Sequence, residues 1–183
     1  MDHAMYGADL LFGPEQMIRR FVKDPSFDQL ICVAIAKHSD FKLEGIEDER
    51  TLLHARLIRD ADKLDNCRVK LEESMETLLD MDEKTVGASP ISPKVWESCK
   101  AEESVLSADR KTGMDYWMSY LALYFDINFP ETYQIIKEQD YIRRIAERVP
   151  YSREDTKEKV AYTVKNWKKD EYSTVKLPVL RGR

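Results

Sequence analysis

The sequence predicts an all-α protein, and three observations support this fold class. Only 6 Gly and 7 Pro occur in 183 residues, while residues that favour helices are frequent. Apolar residues recur at intervals of three and four along most of the chain, which is the period of an amphipathic helix. The sequence shows neither a convincing alternating strand pattern nor an internal repeat. We therefore expect a bundle of about seven or eight helices.

Composition excludes several classes of protein. The net charge is −5, and interspersed signs argue against a general nucleic-acid surface, which needs concentrated positive charge. No apolar run is long enough to cross a membrane, and the N-terminus lacks a signal-peptide pattern. Cys32, Cys67 and Cys99 are odd in number and form no CxxC pair, as expected for reduced thiols. We therefore expect a soluble cytoplasmic protein.

The first three helices are predicted before residue 40. Asp2 is a candidate N-cap for a helix that ends at Gly13, and Pro14 is expected to start a second helix through Val22. The third helix, over residues 27–39, is apolar nearly all round, which predicts the central buried helix of the bundle.

His38 continues a buried stripe of this third helix, because it follows Ile31, Ala34 and Ile35 by seven, four and three residues. Two interpretations remain open. A histidine in this position is either a core residue bonded to a carbonyl group or a metal ligand.

The segment from Leu53 to Asn66 concentrates charge on a predicted helix. Four residues at helical spacing predict its buried face: Leu53, Leu57, Ala61 and Leu64. Asp62 then lies at the border of that face, in partly apolar surroundings, where a carboxylate needs a partner. Arg59 or Asn66 is the simple candidate for this partner, and a metal ion is the alternative.

The second half of the chain divides into a loop, helices and a tail. Gly87, Pro90 and Pro93 predict a loop over 80–93. The helices over 94–175 are expected to pack on a core formed by 1–79, and residues 176–183 form a tail. The aromatic-rich stretch 113–125 is predicted to be a core helix rather than an aromatic cofactor site.

Three segments follow one another in a recognisable order. They are Asp2-His3-Ala4-Met5-Tyr6-Gly7, Ala34-Ile35-Ala36-Lys37-His38 and Arg59-Asp60-Ala61-Asp62-Lys63-Leu64-Asp65. Together they resemble the HD-domain superfamily of metal-dependent phosphohydrolases, in which similar segments lie on successive helices. The resemblance extends over residues 2–75 and, more loosely, over 114–129. It implies an HD-domain-like helical bundle.

The resemblance also implies roles for individual residues. Asp62 would be the carboxylate metal ligand, with Asp60 as the second choice, and His3 and His38 would be additional metal or phosphate contacts. Lys63 would face a substrate phosphate, so that Lys63 and Asp60 are the candidate catalytic residues. Imidazole and carboxylate ligands suit a divalent ion such as Mn, Fe, Zn, Ni or Mg, which can activate water for attack on phosphorus.

The sequence departs from the family in one respect. It contains no adjacent His-Asp pair, and His54, its third histidine, does not match a family ligand. We therefore expect an HD-domain core that is incomplete at its N-terminus, through a late-assigned start, a gene fragment or a diverged site. Apolar surface exposed at Leu11-Phe12 or Ala34-Ile35 would favour a homo-oligomer.

Three functions remain after these observations. The first is hydrolysis of a nucleotide or another small phosphorylated substrate, impaired by the missing ligands. The second is a non-catalytic domain of HD descent that binds a ligand or a protein partner. The third is a generic helical bundle whose likeness to the family is accidental.

Overall fold

The computed structural model describes residues 3–167, which contain helices and no strand. This confirms the all-α prediction. There are ten α-helices in the described range, more than the seven or eight expected: α1 His3–Phe12, α2 Asp28–Lys37, α3 Glu49–Glu72, α4 Met75–Leu79, α5 Glu83–Ala88, α6 Pro93–Lys100, α7 Gly113–Ala122, α8 Pro130–Glu138, α9 Tyr141–Glu147 and α10 Glu154–Trp167. The predicted N-cap Asp2 and the predicted tail 176–183 lie outside the described residues.

Local signals explain why the helices are shorter and more numerous than predicted. The Ser74 side chain caps the amide of Thr77, so α4 starts separately from α3. Asp82 caps Thr85 in the same way, so that a helix forms inside the predicted loop 80–93. Asp140 adopts a left-handed φ of 50°, which separates α8 from α9.

The chain divides into two compact units, Met1–Asp62 and Lys63–Arg183. The division lies inside α3. No helix in the range 3–167 has both the length and the apolar character of a membrane span.

The first unit is built on the packing of α1 against α2. The side chains that these two helices bury are small: Ala4 and Ala8 on α1 and Ala34 on α2 are each 1–3% exposed. Ala34 is the only buried residue of α2, so the prediction of a central buried helix was wrong for this segment. The predicted second helix is a single 3₁₀ turn, Met17–Arg20, which follows a left-handed Gln16.

The second unit is organised around α7, which contacts α5, α6, α9 and α10. Met114, Trp117 and Met118 are fully buried there, which confirms the core-helix prediction for this aromatic segment. Thr112 and Asp115 form a capping box at the start of α7. The buried Asp115 also accepts hydrogen bonds from the Ser92 amide and hydroxyl at 2.7 and 2.6 Å, which holds the start of α6.

Candidate functional site

His3 and His38 lie side by side in the first unit, with 3.2 Å between their Nε2 atoms. His3 is the first residue of α1, and His38 follows the last residue of α2. The small buried side chains between the two helices allow close approach, and a Cβ atom on Gly7 would be only 3.7 Å from Ile35. The start of α1 therefore lies beside the end of α2.

The ring of His38 is held by its own helix. Its Nδ1 atom lies 2.7 Å from the carbonyl oxygen of Ile35, to which it donates. In the neutral ring this leaves Nε2 with a lone pair directed at His3. A backbone carbonyl that fixes the tautomer of an imidazole in this way is the usual support of a histidine metal ligand. Both interpretations of His38 therefore stay open, since its Nδ1 is bonded to a carbonyl and its Nε2 contacts a second imidazole.

The distance between the Nε2 atoms of His3 and His38 would allow both to coordinate one ion. Two nitrogens about 2.0–2.1 Å from a zinc ion, at octahedral to tetrahedral angles, are about 2.8–3.4 Å apart. The 3.2 Å between His3 and His38 falls inside this interval. The pair can act either as a hydrogen bond or as two ligands of a transition metal.

The carboxylates of α3 are not arranged as predicted. Asp62 is exposed, and so are Leu57 and Ala61, which were expected on the buried face. The buried carboxylate is Asp60, at 1% exposure. The buried residues of this helix recur at spacings of three and four along a different face: Thr51, Ala55, Arg59, Lys63, Cys67 and Lys70. The placement of Asp62 in apolar surroundings was therefore wrong.

Lys63 has protein partners in place of the predicted phosphate. It is 3% exposed, and its Nζ atom donates to the backbone carbonyl and to the carboxylate of Asp126, the latter at 2.9 Å. These contacts explain how an ammonium group can be buried on the core-facing side of α3. A substrate phosphate would have to compete with Asp126 for the Lys63 ammonium group.

Arg59 positions the backbone around His38, a role that the sequence did not predict. It is 7% exposed, and its guanidinium donates to the carbonyls of His38, Asp40 and Phe41, with 3.0 Å to His38 and to Phe41. Arg59 thus fixes the backbone at the position of His38. Its three acceptors lie 18 to 21 residues away in sequence, so no local pattern signals them.

Across residues 3–167, no three His, Cys, Asp or Glu side chains come together as a group able to hold a metal ion. The structure thus brings His3 and His38 together without adding Asp60 or Asp62 to such a group.

Family models, curated proteins and solved structures were all compared with the chain, and none of them matches it. The likeness to the HD-domain superfamily therefore depends on its three sequence segments alone.

Proposed function

We propose that this chain is a metal-binding helical domain related to the HD-domain phosphohydrolases, with weak or no hydrolytic activity of its own. The observation that carries the proposal is the 3.2 Å approach of the His3 and His38 Nε2 atoms, with the His38 ring oriented by Ile35. Two imidazoles favour Zn, Ni or Fe over Mg, which prefers oxygen ligands.

The related reaction is hydrolysis of a nucleotide or another small phosphoester in the cytoplasm. A bound divalent metal ion would supply an activated water molecule for that chemistry. Two features argue for weak activity in this chain: the sequence lacks a His-Asp pair, and Lys63 is engaged by Asp126. The proposed compartment is supported by three free thiols, which a reducing environment preserves.

Metal content tests the proposal directly. We expect untagged protein, purified without added metal or dialysed against Zn²⁺, to retain zinc by elemental mass spectrometry. His3→Ala and His38→Ala should each lower zinc affinity by about tenfold or more, because each removes one of two ligands. His54→Ala is the matched control and should retain zinc. Zinc uptake that is absent, or unaffected by both substitutions, would contradict the proposal.

A second candidate function is a non-catalytic interaction domain. Exposed apolar side chains in the first unit favour it, and they include Met5, Tyr6 and Leu10 on α1 and Phe21 after it, which is 73% exposed. Phosphatase assays distinguish the two candidates. Turnover of a phosphoester that depends on His38 would support the enzyme, whereas zinc uptake without turnover would support a binding domain.

A further inference from the structure

The histidine pair supplies half of the ligands that a zinc ion takes in a closed site. Structural zinc is bound tetrahedrally by four nitrogen or sulfur ligands. His3 and His38 provide two nitrogens, and no third His, Cys, Asp or Glu joins them among residues 3–167. His3 is also exposed on the surface, so an ion bound to this pair would remain accessible from outside the chain.

The helix that carries His3 has an apolar face next to it. His3, Tyr6 and Leu10 are spaced by three and four residues, so all three lie within about 60° of one another on α1. Tyr6 is 53% exposed and Leu10 is 45% exposed. The buried residues Ala4 and Ala8 lie on the other side of the same helix. We call the surface formed by His3, Tyr6 and Leu10 the α1 face.

We propose that two copies of this chain associate through their α1 faces around one shared zinc ion. This inference rests on the proposed metal binding, and it names the partner that completes the site. A two-fold arrangement would place two histidine pairs on the ion and give four imidazole ligands. The same contact would cover Tyr6 and Leu10 of both copies, which are otherwise left in water.

The net charge of the chain explains why two copies need a cation to associate. Each copy carries a net charge of −5, so two copies repel each other at low ionic strength. Two apolar side chains per copy form a small contact area compared with stable dimer interfaces. Association without zinc should therefore be weak, and coordination bonds from both copies should convert it into a stable dimer.

The test measures mass and zinc stoichiometry together. The untagged chain at micromolar concentration is analysed by sedimentation or light scattering in the presence of chelator and then with Zn²⁺ alone. We expect one chain of 21.4 kDa with chelator and twice that mass with zinc, at one ion per two chains by calorimetry. Returning chelator should restore the monomer.

Matched variants separate the contribution of the metal ligands from that of the apolar side chains. His3→Ala should abolish the zinc-dependent dimer, whereas His54→Ala should leave it unchanged. Leu10→Ser should weaken zinc-dependent dimerisation by about tenfold while each chain still binds the ion. Ile135→Ser is the control, because Ile135 is also aliphatic and 43% exposed but lies on α8.

The outcomes distinguish the inference from the proposed function. One zinc ion per chain on a monomer would overturn shared coordination and leave metal binding by His3 and His38 intact. No zinc uptake at all would overturn both. A dimer that persists with chelator and in the His3→Ala variant would show that the copies associate by another surface.

Discussion

Lys63 and Asp126 form an ion pair in which one partner is buried and the other is half exposed. Their Nζ and Oδ2 atoms are 2.9 Å apart, and the side chains are 4% and 40% exposed respectively. The ammonium group also donates to the Asp126 backbone carbonyl. Lys63, for which the family resemblance implies a substrate phosphate, thus joins α3 to the segment that follows α7.

Removal of the Asp126 carboxylate tests the structural role of this pair. Asp126→Ala should lower the free energy of unfolding by about 1–2 kcal/mol, because the buried ammonium loses a charged acceptor but keeps the carbonyl. Urea denaturation measures the change. Glu147→Ala is the control and should destabilise less, since its partner Arg143 is exposed and solvent screens such pairs. Equal effects of the two substitutions would show that burial of Lys63 does not strengthen the pair.

Arg59 is predicted to be the most sensitive cation of the first unit. Arg59→Ala should destabilise the protein by about 2–4 kcal/mol, because three carbonyls of residues 38–41 lose a charged donor. Thermal or urea unfolding measures the loss. Arg68→Ala removes an arginine from the exposed side of the same helix, where it pairs with Asp65 and Glu72, and should change the stability much less because solvent screens these pairs. A similar cost at both positions would contradict the role given to Arg59.

The helical core was predictable where local pattern and burial coincide. In α7 the apolar residues are dense enough to predict a buried helix without knowledge of its neighbours, and Trp117 and Met118 are indeed buried. Helix caps such as Ser74 and Asp82 are also local signals, and attention to them would have revealed α4 and α5.

The orientation of α3 could not be predicted in this way. Its buried face carries Arg59, Lys63 and Lys70, which a hydropathy pattern assigns to solvent. Their burial depends on groups distant in sequence. Lys63 meets the Asp126 carbonyl and carboxylate, and the Lys70 Nζ atom lies 4.0 Å from the centroid of the Tyr120 ring. Asp62 was misplaced for this reason. His3 and His38, both expected as additional metal or phosphate contacts, have their Nε2 atoms 3.2 Å apart, and their role as ligands stays a prediction.

A close approach of two backbone segments makes Gly87 a sensitive position. A Cβ atom there would lie 2.3 Å from the carbonyl oxygen of Pro150, so Gly87→Ala should destabilise the protein by about 1–3 kcal/mol. Gly7→Ala is the matched control within α1. Its Cβ atom would meet Ile35 at an ordinary 3.7 Å, and replacement of a helical glycine should stabilise by about 0.5–1 kcal/mol. Urea unfolding should show a lower free energy of unfolding for Gly87→Ala and a higher one for Gly7→Ala, and a Gly87→Ala variant as stable as the unaltered chain would refute the close approach.

Because the second unit buries two thiols, we expect its free energy of unfolding to fall in alkali. Burial raises the pKa of Cys67 to about 11 and that of Cys99 to about 12, from the usual 9.0 of a thiol. Above pH 9 the unfolded chain therefore releases thiol protons that the folded chain retains. The free energy of unfolding should fall between pH 9 and pH 11, by up to about 1.4 kcal/mol per pH unit for each thiol.

Cysteine variants isolate this contribution from other groups that titrate in alkali. Urea unfolding at pH 7.5, 9 and 10.5 should show a shallower decline for the Cys67→Ala, Cys99→Ala double variant than for the unaltered chain. Cys32→Ala is the control, because this thiol is only half-buried and its pKa is raised less far by burial. A decline that is equally steep in the double variant would mean that both thiols ionise as readily in the folded chain as in the unfolded one.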